Sequence, residues 1–188
     1  MKKILTFTVM IMLSIGASAQ EHAMSISGGY VFANVEEVET NANGWRINGL
    51  YEYLQEGGKI AHGVSFGYIH TTAEYSSTIG QTVHNSDYKF NTFPIYYAPK
   101  FMFGSETAKG FIKGAIGAQY SSMTRTSTLG DITVNDAGFY GGAGVGFMKT
   151  LGEKAFINIE YEWAYLSNDY YKDGFINSIM LGVGVKLK

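Results

Sequence analysis

A period-2 alternation of apolar and polar residues recurs about eight times along this chain, and the connections between repeats are alternately short and long. The clearest repeat covers 155–166. There Ile157, Ile159, Tyr161, Trp163 and Tyr165 share one parity, and Phe156, Asn158, Glu160, Glu162 and Ala164 the other. Successive side chains of a strand point to opposite faces, so one face is greasy with aromatic ends while the other carries charge. In a soluble sandwich such a charged face meets water. In a membrane barrel the greasy face meets lipid and the charged face a closed interior.

The alternation predicts strands over 23–33, 44–54, 59–71, 88–103, 110–121, 136–149, 155–166 and 175–187. Tight turns follow the second, fourth and sixth, at 55–58, 104–109 and 150–154. Longer polar stretches follow the first, third, fifth and seventh, at 34–43, 72–87, 122–135 and 167–174. Short turns at one end and long loops at the other are the rhythm of an antiparallel up-and-down transmembrane β-barrel, with both termini on the short-turn side. An even strand count lets the sheet close without a free edge.

The first 19 residues favour the membrane reading. Lys2 and Lys3 supply a positive start, 4–15 an apolar run, and Ala17-Ser18-Ala19 a small-residue site, so 1–19 reads as a secretory signal peptide and 20–188 as one barrel domain. The apolar run is shorter than the roughly 20 residues that a spanning helix needs. The chain has no cysteine, which excludes a disulfide framework and a lipid-modified cysteine. Its two prolines, Pro94 and Pro99, mark no linker. With 14 basic against 16 acidic residues it lacks the basic footprint of a nucleic-acid binder. Its 24 glycines and 15% aromatic content suit curved strands with interfacial rings.

The parities also sort the charges. Arg46, Glu52, Lys113, Glu160, Glu162 and Lys186 fall on inward faces, with both signs present to pair. A barrel of about eight strands has an interior that side chains just fill, so these charges are expected to form a closed network and not to line a wide diffusion pore. The fourth strand is apolar on both parities, and the alternation leaves its face open.

The leader, the eight alternating segments, the Gly-rich strand Gly141-Gly142-Ala143-Gly144-Val145-Gly146-Phe147 and the strand running into the C-terminus resemble the small, porin-like outer-membrane β-barrel family, similar in architecture to the transmembrane domain of outer membrane protein A. The resemblance implies a monomer in the bacterial outer membrane with a structural role, or a binding role exercised through its long loops. Its partners would be outer-membrane lipid, the barrel-assembly machinery and a surface ligand. Members commonly end in an aromatic residue, whereas this chain ends Val185-Lys186-Leu187-Lys188.

Two other readings stand beside this one. His84 and Ser86, spaced as His-x-Ser, resemble the arrangement of outer-membrane lipid hydrolases, where an imidazole takes the proton of a nucleophilic hydroxyl. They fall in the long polar stretch 72–87, next to Asp87, where nothing obvious fixes their geometry. A soluble periplasmic barrel that holds a ligand inside is the other. No cofactor or metal is expected. His62 and His70 are eight residues apart on one strand, about 26 Å, too far to share an ion, and each is expected near one bilayer interface. Glu36, Glu37 and Glu39 lack calcium-loop spacing and read as a solvated face. Gly142, Gly144 and Gly146 lack the remaining signature of a phosphate loop and leave room for large side chains reaching across from other strands.

Overall fold

The computed structural model describes residues 20–36, 40–55, 58–79, 82–128 and 130–187. The signal peptide expected at 1–19 lies outside them, as do Glu37 and Glu39. Among the described residues nine antiparallel strands form one sheet: β1 (Gln20–Val35), β2 (Asn41–Gln55), β3 (Ile60–Ile79), β4 (Thr82–Tyr97), β5 (Lys100–Gly104), β6 (Ala108–Ser127), β7 (Gly130–Leu151), β8 (Ala155–Leu166) and β9 (Tyr171–Leu187). The sheet closes on itself. β1 pairs with β2 on one side and with β9 on the other, β2 pairs with β3, and β4 and β5 share β3 and β6 as neighbours. All backbone groups of the wall can then be satisfied within one chain, as a hydrocarbon environment requires.

The expected fourth strand, 88–103, is two pieces, β4 and β5, broken at Ala98 and Pro99. The ladder bridges the break, because Ala98 N–H donates to Gly63 O at 2.8 Å and Pro99 O accepts from Gly114 N–H at 2.9 Å. The side-chain parity carries through it, with Phe93, Ile95, Tyr97, Phe101 and Phe103 all exposed and Tyr96, Ala98 and Lys100 all buried. Nine segments therefore make an eight-strand barrel. Pro94 leaves its own mark: β3 pairs with β4 at Phe66–Ile95 and again at Ile69–Thr92, but not between. A proline has no N–H to give to the ladder there.

Sidedness follows the sequence parities. Phe66 and Leu181 are each 66% exposed and belong to an outward belt with Ile26, Ile47, Val64, Ile95, Ile116, Ile159 and Val183. No water-soluble domain carries so continuous an apolar girdle, and its occupant is lipid. Aromatic groups rim it at both ends. Near the short turns, His62 Nδ1 lies 2.5 Å from Tyr97 OH and its ring stacks on Tyr53. At the other end, His70 Nδ1 lies 2.8 Å from Asn91 Oδ1, beside Trp45 and Tyr68. The two histidines thus sit in different girdles.

Glycines inside the barrel make space for rings. The Phe156 ring occupies the place that a Cβ on Gly184 would take, and the Phe111 ring does the same at Gly146. Gly184→Ser should therefore displace Phe156 and lower the unfolding midpoint in detergent, although serine is polar and faces inward. An unchanged midpoint would show that Phe156 has room to move.

The largest departure from expectation concerns the loops. The stretches 72–87 and 122–135 are mostly strand: β3 and β4 pair up to Ile79–Thr82, and β6 and β7 up to Ser127–Gly130. Beyond the last buried residues of β3 and β4, Ala73 and Ser86, both faces meet water, so nothing forces one parity to be apolar. The alternation fades there while the ladder continues, supported by β-formers such as Thr72, Tyr75, Thr124, Ile132, Thr133 and Val134.

Candidate functional site

Two regions concentrate polar chemistry: the barrel interior and the strands that overshoot its loop-side rim.

Arg46 and Glu162, both fully buried, form the centre of the interior. Arg46 Nη1 donates to Glu162 Oε1 at 2.5 Å and to Ser178 Oγ at 3.4 Å, while Nη2 donates to Tyr96 OH at 2.9 Å. Lys113 donates to both Glu160 and Glu162, and Tyr140 OH donates to Glu162. Asn48 Nδ2 donates to Ser65 Oγ at 2.7 Å and to Tyr96 OH at 3.1 Å. The Tyr96 and Tyr140 rings stack with centroids 4.8 Å apart, and the Lys113 ammonium lies 5.7 Å from the centre of the Tyr96 ring. Nearer the short turns, Lys100 Nζ pairs with Glu52 Oε1 at 2.7 Å and sits 4.6 Å from the centre of the Phe111 ring.

The structure thus brings Arg46, Lys113, Glu160 and Glu162 into one cluster and places Glu52 in a separate pair. Lys186 does not join them. Its side chain keeps 26% exposure at the short-turn rim, 3.8 Å from the exposed carboxylate of Glu21, so its inward parity does not bury it. Near a strand end the inward direction opens onto water. Lys100 takes the place that Lys186 was expected to fill, and among the described residues three buried cations in the barrel then balance three buried carboxylates. Counting by twos from Tyr96 across Pro99 would have found it, once the face of that strand was fixed. Removing Lys100 strands Glu52: Lys100→Met should lower stability by about 3 kcal/mol in denaturant titrations of the folded barrel, and Lys186→Met should leave it unchanged. Equal effects would contradict the assignment of Lys100 to the interior.

Above the ions the interior turns apolar. Val31, Ile69, Phe90, Leu166 and Ile176 are buried together, and Tyr171 closes over them with its OH 2.8 Å from Thr71 Oγ1. Tyr170, in the β8–β9 connection, packs its ring against Phe90 and donates to Val134 O at 3.2 Å. Burial, followed by the nearby Asp136 carboxylate, raises the Tyr170 phenol above its ordinary value, so it stays a donor. From ions to rings, the described side chains occupy the interior as expected for a barrel of about eight strands.

Four strands continue past that lid. Above Asn43–Thr72 β3 has no partner in β2, and above Tyr140–Leu166 β7 has none in β8, so residues 73–79 and 130–139 border a four-stranded wall of β3, β4, β6 and β7. Its two edges, each about 20–30 Å of extended chain, have no further strand beside them among the described residues. Side-chain or loop groups take part of them: Phe139 N–H donates to Ser167 Oγ at 2.7 Å, Tyr170 OH to Val134 O, and Thr40 Oγ1 to Glu74 O at 3.4 Å. The wall exposes Tyr75, Ile132 and Val134, and carries the Arg125 guanidinium 5.7 Å from the centre of the Tyr88 ring.

His84 and Ser86 belong to this wall and not to a loop. Both lie in β4, where His84 is in register with Ser77 and Ser86 with Tyr75 and Ser127. Ser86 is buried and has no carboxylate hydrogen-bond partner among the described residues; the His84 side chain lies outside them. Glu36 accepts from the Asp173 N–H at 3.3 Å, which ties the first connection to β9. No cluster of three metal-ligating side chains occurs among the described residues.

A family model described as the outer membrane protein beta-barrel domain matches residues 5–186. Three solved structures are similar. Neisserial surface protein A has a TM-score of 0.60 and 11% identity, covering 90% of this chain and 100% of its own. A major outer membrane protein from Thermus thermophilus has 0.61 and 10%, covering 90% and 100%. Ail, the attachment invasion locus protein of Yersinia pestis, has 0.51 and 19%, covering 88% and 98%. At such identities the likeness is one of fold. Among curated protein sequences none matches.

Proposed function

The chain belongs to the outer membrane protein β-barrel domain family and resides in the bacterial outer membrane, and on that premise we propose that it is a monomeric contact protein whose projecting β3–β4–β6–β7 wall meets a partner outside the cell. A soluble periplasmic barrel is incompatible with this location and with the apolar outward belt. The observation that carries the contact role is the exposure of Tyr75, Ile132 and Val134 on strands beyond the membrane belt. Aromatic and branched apolar side chains held on rigid strands lose little freedom on docking, and an arginine beside them adds polar specificity. Closure of the barrel supports a monomer, since within the membrane belt each strand pairs with neighbours of the same chain. Outer-membrane lipid and the barrel-assembly machinery complete the partners.

The protein is not an enzyme in this reading. A working nucleophile needs its base held in register by a third group, and Ser86 is buried in a strand with no such carboxylate among the described residues. Refolded protein incubated with lipid A or phospholipid should release no fatty acid. Release that disappears in Ser86→Ala would establish the hydrolase instead.

The contact role is tested by crosslinking on intact cells with wild type and the variant Tyr75→Ala/Ile132→Ala/Val134→Ala. Partners crosslinked through the wild type should be lost in the variant, while heat-modifiable gel mobility stays intact. An unchanged crosslinking pattern would remove the wall from the account.

A further inference from the structure

We infer that the loop-side flank of β2, β1 and β9 carries a saccharide-binding cleft whose occupant is the sugar headgroup of an outer-leaflet glycolipid. The site follows from register. On the outward face Phe32 of β1 lies opposite both Asn43 of β2 and Asn177 of β9, and Asn34 lies opposite Asn41 one row further from the membrane. Four amides therefore frame one aromatic ring. With Lys172 they line a cleft of about 630 Å³ that opens sideways.

That composition fits neither of the phases beside it. Immediately below, Tyr30, Trp45 and Ile179 form the girdle facing lipid. Unpaired amides are costly in hydrocarbon, and rings gain nothing from facing water. A sugar satisfies both groups at once, because its C–H face stacks on an aromatic ring while its hydroxyls exchange hydrogen bonds with planar amides. The cleft is also held in shape. Tyr30 OH donates to Asn43 Oδ1 at 2.7 Å and Tyr161 OH to Asn177 Oδ1 at 2.5 Å, so these two amides have their oxygens engaged and present their N–H donors. Phe175 lines the cleft and stacks on Trp163 at 4.4 Å and 14°.

The far wall supplies charge. Asp173 adopts a left-handed φ of 53°, followed by Gly174 at 73°, and the Glu36 carboxylate accepts the Asp173 N–H at 3.3 Å. This turn sets Lys172 and Asp173 at the edge of the cleft, where an ammonium suits a headgroup phosphate and a carboxylate suits sugar hydroxyls. The height of the cleft selects the source. It begins where the loop-side girdle ends, which is the level of outer-leaflet headgroups. It also lies across the ring from the β3–β4–β6–β7 wall, so it is independent of the contact role.

The test uses refolded full-length protein in detergent, titrated with purified lipopolysaccharide that retains its core sugars and, in parallel, with phosphatidylglycerol. Trp163 provides an emission signal, and co-elution on size exclusion provides a second reading. Lipopolysaccharide should give a saturable response and co-elute, whereas phosphatidylglycerol should do neither. The exposed side chains Asn34, Asn41 and Lys172 can be removed together. Asn34→Ala/Asn41→Ala/Lys172→Ala should weaken binding at least about tenfold, as expected for losing several charge-assisted or amide hydrogen bonds. If that triple variant lacks heat-modifiable mobility, Lys172→Glu alone provides the comparison and should also weaken binding. Equal affinity of a folded variant and wild type, or equal binding of both lipids, would overturn the assignment.

Discussion

Glu162→Ala should destabilise the folded barrel by about 3–5 kcal/mol, the typical cost of leaving buried charge without its partner. Glu162 is fully buried and accepts from Arg46, Lys113 and Tyr140. Its removal leaves Arg46 without its carboxylate and Lys113 with Glu160 alone, in a space that water cannot readily fill. Glu160→Ala should cost less, because Lys113 keeps Glu162. Glu162→Gln separates charge from shape, since the amide fills the same volume and accepts from Arg46 without neutralising it. Urea midpoints, read from the loss of heat-modifiable mobility, should fall in the order wild type, Gln, Ala. A Glu162→Ala midpoint equal to wild type would mean that the network contributes nothing to stability.

Val183→Arg should block assembly into the membrane. Val183 is 58% exposed on the outward belt, paired across the ladder with Ile26 and Ile157. An arginine near the bilayer midplane costs about 2–4 kcal/mol on a lipid-facing position, a large share of a small barrel's stability. Val183→Leu at the same position should assemble normally. Equal yields of folded protein from both variants in vesicles would place that face away from lipid.

How much of this was legible in the sequence depended on whether a face had a single kind of neighbour. Along β8 the outward side meets only lipid and the inward side only the packed interior, so Ile157 through Tyr165 and Glu160 with Glu162 could be assigned by counting in twos. The same count failed along β4 and β5. Phe90 and Tyr96 are apolar yet point inward, because the interior above and around the ions is itself aromatic. Lys100 went unplaced for that reason. Lys186 erred in the opposite sense: parity gives direction but not depth, and at a strand end an inward side chain still reaches water. The wall was hidden as well. Once both faces of a hairpin are solvated, burial no longer imprints an alternation, and only the ladder itself tells strand from loop. The amide cleft follows from register between distant strands, Phe32 with Asn177 above all, which no local pattern encodes.

The proposed contact role requires a filled interior, which leaves the outer surfaces to meet partners. Among the described residues three buried cations balance three buried carboxylates within the barrel, and Tyr170 and Tyr171 lie over them. Conductance of the purified, refolded protein in planar lipid bilayers tests this most directly. Insertion confirmed by protease protection should be accompanied by no steady current, as expected for a barrel of about eight strands whose side chains occupy its lumen. Stable, long-lived conductance steps that scale with salt concentration would reveal a continuous water path and contradict the filled interior.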